Sequence, residues 1–321
     1  MAGGPSTPAL AAAVSNAGGL GFVAAGYKAP EAVATDLEAV RALTTAPFGV
    51  NLFVVEAYQP DASALAAYRR SLEPVAARLD VSLGEPRWDD DAWQAKLELV
   101  RDVRPDMVSF TFGCPSAGVL RQLTDLGVHS AVTVTTVAEA REAVARGAAS
   151  LVVQGPRAGG HRGTWDPEAV PDETELLDLV AAVRAAVDVP LTAGGGIHDA
   201  QGARSLMAAG VAAAQVGTAY LLADEAGTNP THRAALEDPA LEDTALTRAY
   251  TGRWARGLAN DFMRAHQDAP AGYPHIHHMT SPLRKAAAAA GDKQVAHLWA
   301  GSGHAHARRS NAAEITKALA P

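Results

Sequence analysis

The segment Leu151-Val152-Val153-Gln154, followed by Gly155-Pro156-Arg157-Ala158-Gly159-Gly160-His161, is the clearest indication of the fold. The first part is a continuous apolar run that ends in an amide, which is typical of a strand buried on both faces of a parallel sheet. The glycines that follow predict a tight loop at the carboxyl end of that strand. The stretch therefore predicts a buried parallel strand that delivers a histidine on a glycine-rich loop.

The same kind of apolar run recurs on both sides of this stretch. Further strands are predicted near Leu20–Ala24, Phe48–Phe53, Met107–Phe112, Ser130–Val134, Pro190–Ala193 and Ala213–Gly217. Helical patterns lie between them, with a capping box at Thr136 and Glu139 and with helix stops at Gly127, Gly147 and Gly210. This βα rhythm indicates either an open doubly wound sheet or a closed (β/α)8 barrel.

The number of strands favours a (β/α)8 TIM barrel whose first strand is missing. The chain opens on the glycine-rich loop and helix that normally follow a first strand, so we expect that strand upstream of Met1 in a longer natural chain. A shortened barrel closed by other means is the alternative. We assign residues 1–222 and 274–321 to the barrel, and residues 223–273, with no clear strand, to a helical lid and substrate domain inserted after the last strand.

Composition excludes several classes of protein. Hydrophobic residues make up 48% of the 321-residue chain, enough for a sizeable core. A net charge of -8 argues against nucleic acid or anionic lipid as the main partner. A single cysteine rules out a disulfide framework, and no signal peptide or membrane-spanning run is visible. We therefore expect a cytoplasmic enzyme, as a monomer or homodimer.

His161 is the candidate catalytic residue. Active sites of such barrels lie on the loops after the carboxyl ends of the strands, which is where the Gly-Gly-His loop stands. An imidazole with an unperturbed pKa near 6.5 can take up a proton at neutral pH. A loop histidine that only forms a local hydrogen bond is the alternative interpretation.

Two other strand ends predict a phosphate site. One is Ala193-Gly194-Gly195-Gly196-Ile197, and the other is Gln215-Val216-Gly217-Thr218. Glycine-rich backbone after the last two strands of a barrel commonly binds phosphate through its amide N–H groups. A pair of ordinary tight turns is the alternative, but two such turns at adjacent strand ends predict a ligand that carries a phosphate.

Further candidate ligand-binding residues lie at other strand ends of the predicted barrel. Ala2-Gly3-Gly4 occupies the loop expected after the first strand, while Asn51 and Gln154 sit within apolar strands. A buried amide must find hydrogen-bond partners, so both side chains serve either a ligand or the neighbouring backbone.

Taken together, these motifs resemble the class I nitronate monooxygenase family, also known as the 2-nitropropane dioxygenases. The resemblance covers nearly the whole chain and rests on Gly3-Gly4, Asn51, Ala158–Gly163, Ala193–Ile197, Gln215–Thr218, Thr247–Arg253 and Leu298–Gly301. One departure is Pro156-Arg157, which stands where the family commonly has an acidic residue.

The resemblance implies FMN as cofactor and alkyl nitronates such as propionate 3-nitronate, or nitroalkanes, as substrates, which O2 converts to carbonyl compounds and nitrite. His161 would remove the α-proton of a neutral nitroalkane. The phosphate and ring of FMN would contact Ala2, Gly3, Asn51, Gln154, Gly159, Gly160, Gly195, Gly196, Gln215, Val216, Gly217 and Thr218.

Two other functions remain open on sequence grounds. One is an FMN- and NAD(P)H-dependent enoyl-acyl-carrier or quinone reductase of the same barrel family, which uses a related Gly-Gly-His loop. The other is a barrel that only binds a ligand. A rapid-mixing experiment with nitronate and with NADPH distinguishes the reductase from the nitronate enzyme, and a colourless protein that takes up no FMN would indicate a barrel that only binds a ligand.

Several conspicuous residues carry less weight. We expect His275, His277 and His278 in a loop at the junction of lid and barrel, with one of them near the substrate, and we predict no metal site. Cys114 is predicted as a buried thiol. Arg162 is either an anion anchor or a surface salt-bridge former. His304, His306, Arg308 and Arg309 form a basic patch that we interpret as a solvated face.

Overall fold

The computed structural model describes residues 1–321 and is built around a seven-stranded sheet in which every pair of neighbours is parallel. The strands stand in the order β1 (Gly21–Ala24), β2 (Phe48–Phe53), β3 (Met107–Thr111), β4 (His129–Val134), β5 (Ser150–Gln154), β7 (Leu191–Gly194) and β8 (Ala213–Gln215). All seven strands predicted from apolar runs are confirmed, because strands covered on both faces need no polar alternation.

A second sheet interrupts this order after β5. It is antiparallel and contains β6 (Gly160–His161), β10 (Ala255–Leu258) and β9 (Thr244–Thr247). The prediction that residues 223–273 hold no strand is therefore wrong. Both missed strands contain polar residues, with Thr244 and Thr247 in β9 and Arg256 in β10, so neither is a continuous apolar run. The pairing of β10 with β6 holds the Gly-Gly-His loop.

Helices surround both sheets. They are α1 (Pro8–Asn16), α2 (Pro30–Leu43), α3 (Ala62–Arg78), α4 (Trp93–Val103), α5 (Ala117–Asp125), α6 (Val137–Ala145), α7 (Leu176–Ala186), α8 (Ala200–Ala208), α9 (Pro230–Leu236), α10 (Asp261–Ala265), α11 (His275–Ala289) and α12 (Ala312–Leu319), with 3-10 turns at Thr218–Tyr220 and His304–His306. No helix combines the length and apolarity that a membrane span requires.

Local signals account for several helix ends. Thr136 and Glu139 form the predicted capping box of α6, with each side chain bonded to the backbone of the other residue. Gly127, Gly147 and Gly210 have φ of 74°, 98° and 82°, the left-handed conformation that ends a helix. The prediction that these glycines stop helices is confirmed.

The core has two main parts. The larger cluster lies between the parallel sheet and its helices and includes Val50, Phe110, Val132 and Leu151. The second surrounds α11 and is formed by residues such as Tyr250 and Ile276. Because the second cluster joins α3, α9, α11 and the 241–263 region, residues 223–273 pack as part of the body that carries α11.

The parallel sheet is open between β1 and β8, which do not pair with each other. A cavity of about 1300 Å³ extends from this gap to the loops at the carboxyl ends of the strands, and Phe22, Ala213 and His161 all line it. The candidate site lies at the loop end of this cavity.

Candidate active site

Gln154 fixes the conformation of the Gly-Gly-His loop. Its Nε2 donates a hydrogen bond to the carbonyl oxygen of His161 at 3.0 Å, and its Oε1 accepts one from the amide of Gly163 at 2.7 Å. Both polar ends of the side chain are thus used within the protein, as the interpretation based on neighbouring backbone expects. Gln154 still lines the cavity, so its contact with FMN stays a prediction.

The partner of His161 is Thr251, which the sequence did not single out. Nε2 of His161 lies 2.8 Å from Oγ1 of Thr251, and Oγ1 can donate to the carbonyl oxygen of Arg253 at 3.3 Å. When the Thr251 hydroxyl donates to the carbonyl oxygen of Arg253, it accepts a hydrogen bond from the protonated Nε2 of His161. In that tautomer Nδ1 of His161 carries no proton. Nδ1 forms no hydrogen bond in the protein and the ring lines the cavity, so this atom is free to accept a proton.

The environment of His161 favours the neutral imidazole. Burial, together with the charges of Arg253 and Arg284, lowers its pKa from 6.5 to about 3. The ring lines the cavity. His161 is therefore uncharged at neutral pH and able to act as a base.

Aromatic rings enclose His161. The ring centroids of Phe112, Tyr273 and Trp299 lie 5.6, 6.1 and 5.5 Å from that of His161. Tyr27 is 6.5 Å away and stacks on His277 at 4.3 Å. The substrate end of the cavity is therefore largely apolar, with a few polar atoms directed into it.

Two buried arginines give this end of the cavity a positive potential. Arg284 lines the cavity and donates to Thr280 and His277, and Arg253 lies over the ring of Phe112 at 4.3 Å. Neither forms a salt bridge with a carboxylate. Burial lowers the pKa of each to about 10, so both stay charged at neutral pH and favour an anion in the cavity.

Arg162 fulfils neither of its two predicted roles. It is 1% exposed, forms no salt bridge, and donates from Nη1 to the carbonyl oxygens of Gln154 and Gly155. It does not line the cavity. Its guanidinium instead stabilises the start of the Gly-Gly-His loop through these hydrogen bonds, on the side away from the cavity lining. No local sequence signal indicates this role.

The two glycine-rich strand ends present unpaired amides to the cavity. The backbone N–H groups of Gly195, Gly196, Val216 and Gly217 donate no hydrogen bond within the protein. All four residues line the cavity. Buried or half-buried amides are normally satisfied, so converging unpaired donors fit an anion such as phosphate.

Glycine is required at several points of this wall. Gly196 has φ +81°, and a Cβ on Gly195 would come within 3.1 Å of the carbonyl oxygen of Gly155. A Cβ on Gly159 would lie 2.4 Å from the amide nitrogen of Gly301. Glycine is therefore needed here for the backbone conformation and for the close packing of the strand-end loops on one another, while the fit to a phosphate rests on the unpaired amides.

The remaining predicted cofactor residues also face the cavity. Nδ2 of Asn51 donates to Ser109 and Thr111, which leaves Oδ1 free to accept a hydrogen bond. The cavity is further lined by Ala2, Gly3, Gly160, Gln215 and Thr218. Thr218 Oγ1 accepts from the amide of Gly301 at 2.9 Å, so its role in binding a ligand stays a prediction.

The histidine-rich segment is helical, contrary to the prediction of a loop. His275, His277 and His278 lie in the first turn of α11, where they follow Pro274. Of the three, His277 lines the cavity, as the prediction of one histidine near the substrate expects. Cys114 is 3% exposed, which confirms a buried thiol, and burial raises its pKa to about 11.

The predicted basic patch is not a uniformly solvated face. His304 is 5% exposed, and Arg309 pairs with Glu237 at 2.6 Å. His306 stacks on His198 at 3.9 Å. His306, Arg308 and Arg309 are exposed, as the prediction of a solvated face expects, and only His304 of the four is buried.

His232 makes the stability of the fold sensitive to acid. It is 5% exposed, and burial lowers its pKa to about 4. As pH falls below 6.5 the unfolded chain binds a proton at this residue and the folded chain does not. Stability is therefore lost between about pH 6.5 and 4. Between pH 7 and 5 we expect the wild type to lose about 2 kcal/mol more than His232→Gln.

Urea unfolding of both proteins at the two pH values measures this difference. The other buried histidines are common to both proteins and cancel in the comparison. Equal losses in the two proteins would show that His232 is not held neutral in the folded state.

Comparison with known proteins was made on sequence and on structure. Residues 1–321 match the family described as nitronate monooxygenase. A nitronate monooxygenase of Pseudomonas aeruginosa is 39% identical over 98% of this chain and 92% of its own length. A probable nitronate monooxygenase of Bacillus subtilis is 32% identical over 94% of this chain and 88% of its own.

Solved structures give the same picture. The crystal structure of a nitroalkane oxidase from Streptomyces ansochromogenes is 46% identical, covers 99% of this chain and 92% of its own, and superposes with a TM-score of 0.94. FabK from Thermotoga maritima is 24% identical over 99% of this chain and 89% of its own, with a TM-score of 0.76. That second likeness extends to the fold alone.

Proposed function

The chain belongs to the nitronate monooxygenase family, and from this premise we propose that it is an FMN-dependent oxidoreductase that uses O2 to convert alkyl nitronates to carbonyl compounds and nitrite. The observation that carries the proposal is the position of His161. A neutral imidazole, held by Thr251, opens into a cavity that continues to four unpaired backbone amides. One end suits a small anion and the other suits a phosphate.

FMN, when bound, supplies the ring that accepts electrons from the nitronate and passes them to oxygen. The amides of Gly195, Gly196, Val216 and Gly217 would hold its phosphate. Asn51 would accept a hydrogen bond through its free Oδ1.

The residues around His161 also account for the use of a neutral nitroalkane. Nδ1 would remove the α-proton, which leaves a nitronate anion beside an imidazolium. Without a neighbouring anion the imidazole is a weak base, because burial and the charges of Arg253 and Arg284 disfavour its protonated form. The nitronate formed as the proton is removed stabilises the neighbouring imidazolium and so offsets the low pKa of His161. Arg253 and Arg284 in turn stabilise the nitronate.

We also propose how the chain is organised around this site. Strands β1 to β5, β7 and β8 correspond to strands two to eight of a TIM barrel, formed by residues 1–222 and 274–321. Residues 223–273 form the lid and substrate domain. Its link to the barrel is the pairing of β10 with β6, and it contributes Thr251 and Arg253 to the site.

The visible spectrum of the purified protein tests the function. We expect a flavin spectrum that bleaches when propionate 3-nitronate is added under nitrogen and returns when oxygen is admitted. Bleaching by NADPH together with none by the nitronate would support a reductase of the same barrel family instead. A colourless protein that takes up no FMN would overturn both enzymatic functions.

A further inference from the structure

Tyr27 is held in an unusual backbone conformation at the edge of the cavity. It follows β1 with φ +68°, which places it among six non-glycine residues of positive φ in the chain. A tyrosine adopts the left-handed region only where the surrounding structure imposes it. Such conformations concentrate at functional sites, where contacts with the surrounding structure impose them.

A buried ion pair provides those contacts. The amide N–H of Tyr27 donates to Oδ1 of Asp91 at 2.9 Å, across 64 residues of sequence. The other carboxylate oxygen of Asp91 lies 2.8 Å from Nζ of Lys96, whose side chain is 2% exposed. Asp91 thus connects the first turn of α4 to the backbone of Tyr27.

A lysine this deeply buried needs a charged partner, and Asp91 is that partner. Asp91 and Ala92 also have left-handed φ, 59° and 54°. The turn that presents the carboxylate to Tyr27 is therefore itself constrained. Neither residue of this pair lines the cavity, and the hydrogen bond from the amide of Tyr27 to Asp91 is the pair's direct link to a residue that does.

The side chain of Tyr27 is directed toward the substrate end of the cavity. Its ring stacks on His277 with an angle of 5° between the planes and meets the edge of Phe53 at 5.2 Å. Its hydroxyl is buried and has no hydrogen bond of good geometry within the protein, but it lies beside the hydroxyl of Tyr273. Burial raises the pKa of Tyr27 to about 12, so the hydroxyl keeps its proton and can donate. Tyr273 acts in the opposite direction on the pKa of Tyr27, which it lowers, and so is the donor in that contact, which leaves the proton of Tyr27 available.

We propose that Tyr27 donates a hydrogen bond from its hydroxyl to a nitro-group oxygen of the substrate, and that the Asp91–Lys96 pair is the positioning device that holds it there. The inference rests on the proposed function. Negative charge accumulates on those oxygens as a nitroalkane loses its α-proton to His161. A donor fixed in advance then stabilises the charged form more than the neutral one.

Tyr27→Phe tests the hydroxyl alone, because the stacked ring is kept. We expect kcat/KM for a nitroalkane to fall roughly 10- to 100-fold, with FMN content and thermal midpoint unchanged. An unchanged kcat/KM in an active enzyme would overturn the inference. A wild type that nitronate does not reduce would instead overturn the proposed function, so the two failures are distinguishable.

A double-mutant cycle tests the positioning role of the ion pair. Lys96→Met keeps the length and burial of the side chain and removes its charge. We expect a loss of about tenfold or more in the wild-type background and little further loss in Tyr27→Phe, because the pair acts through that hydroxyl. Equal fold losses in both backgrounds would mean a general structural role and would contradict the positioning assignment.

A second variant keeps this test available if Lys96→Met does not fold. Asp91→Asn preserves the shape of the side chain and the acceptor for the Tyr27 amide while it removes the charge facing Lys96. It replaces Lys96→Met in the same double-mutant cycle. We again expect little further loss of kcat/KM in the Tyr27→Phe background, and equal fold losses in both backgrounds would again contradict the positioning role.

Discussion

Replacing His161 with asparagine should lower kcat/KM for a neutral nitroalkane by about 100- to 10,000-fold, the usual contribution of a general base. Nδ1 has no partner inside the protein, and Thr251 holds Nε2 at 2.8 Å, so the ring is oriented with its free nitrogen toward the cavity. Asparagine can keep a hydrogen bond to Thr251 but cannot take up the α-proton. Steady-state oxygen consumption measures the change.

The matched comparison uses the same variant with a preformed nitronate. Because the α-proton is already absent, we expect this substrate to lose less than about tenfold in His161→Asn. The ratio of the two losses isolates proton removal from effects on binding or on flavin content. Similar losses for both substrates would contradict the role of His161 as the base.

Replacing Gly217 with aspartate should weaken FMN binding by on the order of 100-fold. The amide of Gly217 is one of the unpaired donors of the proposed phosphate site. Two unit charges about 6 Å apart repel by about 3 kcal/mol at an effective dielectric constant near 20. Titration of the FMN-free protein, followed by quenching of FMN fluorescence, measures the dissociation constant.

Gly217 suits this experiment because a side chain is tolerated there. Its φ is -122°, and an added Cβ would make only an ordinary contact of 3.5 Å with the sulfur of Met1. Gly217→Asn adds nearly the same volume without the charge and should bind FMN within a few-fold of wild type. Equal weakening in both variants would argue against a phosphate at this strand end.

The family resemblance and the strand pattern both placed the active site at the carboxyl ends of the parallel strands, and the structure has its cavity there. Apolar runs located all seven parallel strands because each strand falls in a run made up mostly of apolar or small residues. The glycine-rich ends of β5, β7 and β8 were visible for the same reason: they follow those runs directly. The short strands of residues 244–258 carry no such pattern and were missed.

By itself, the sequence determined the parallel α/β architecture, the ring of strand-end loops and His161 as the candidate base, because these depend on local apolar pattern and on position after a strand. Tertiary structure alone decided what holds that base. Thr251 is 90 residues from His161, and Asp91 is 64 residues from Tyr27. Contacts across such separations follow from how packed elements meet, which no local pattern of residues encodes.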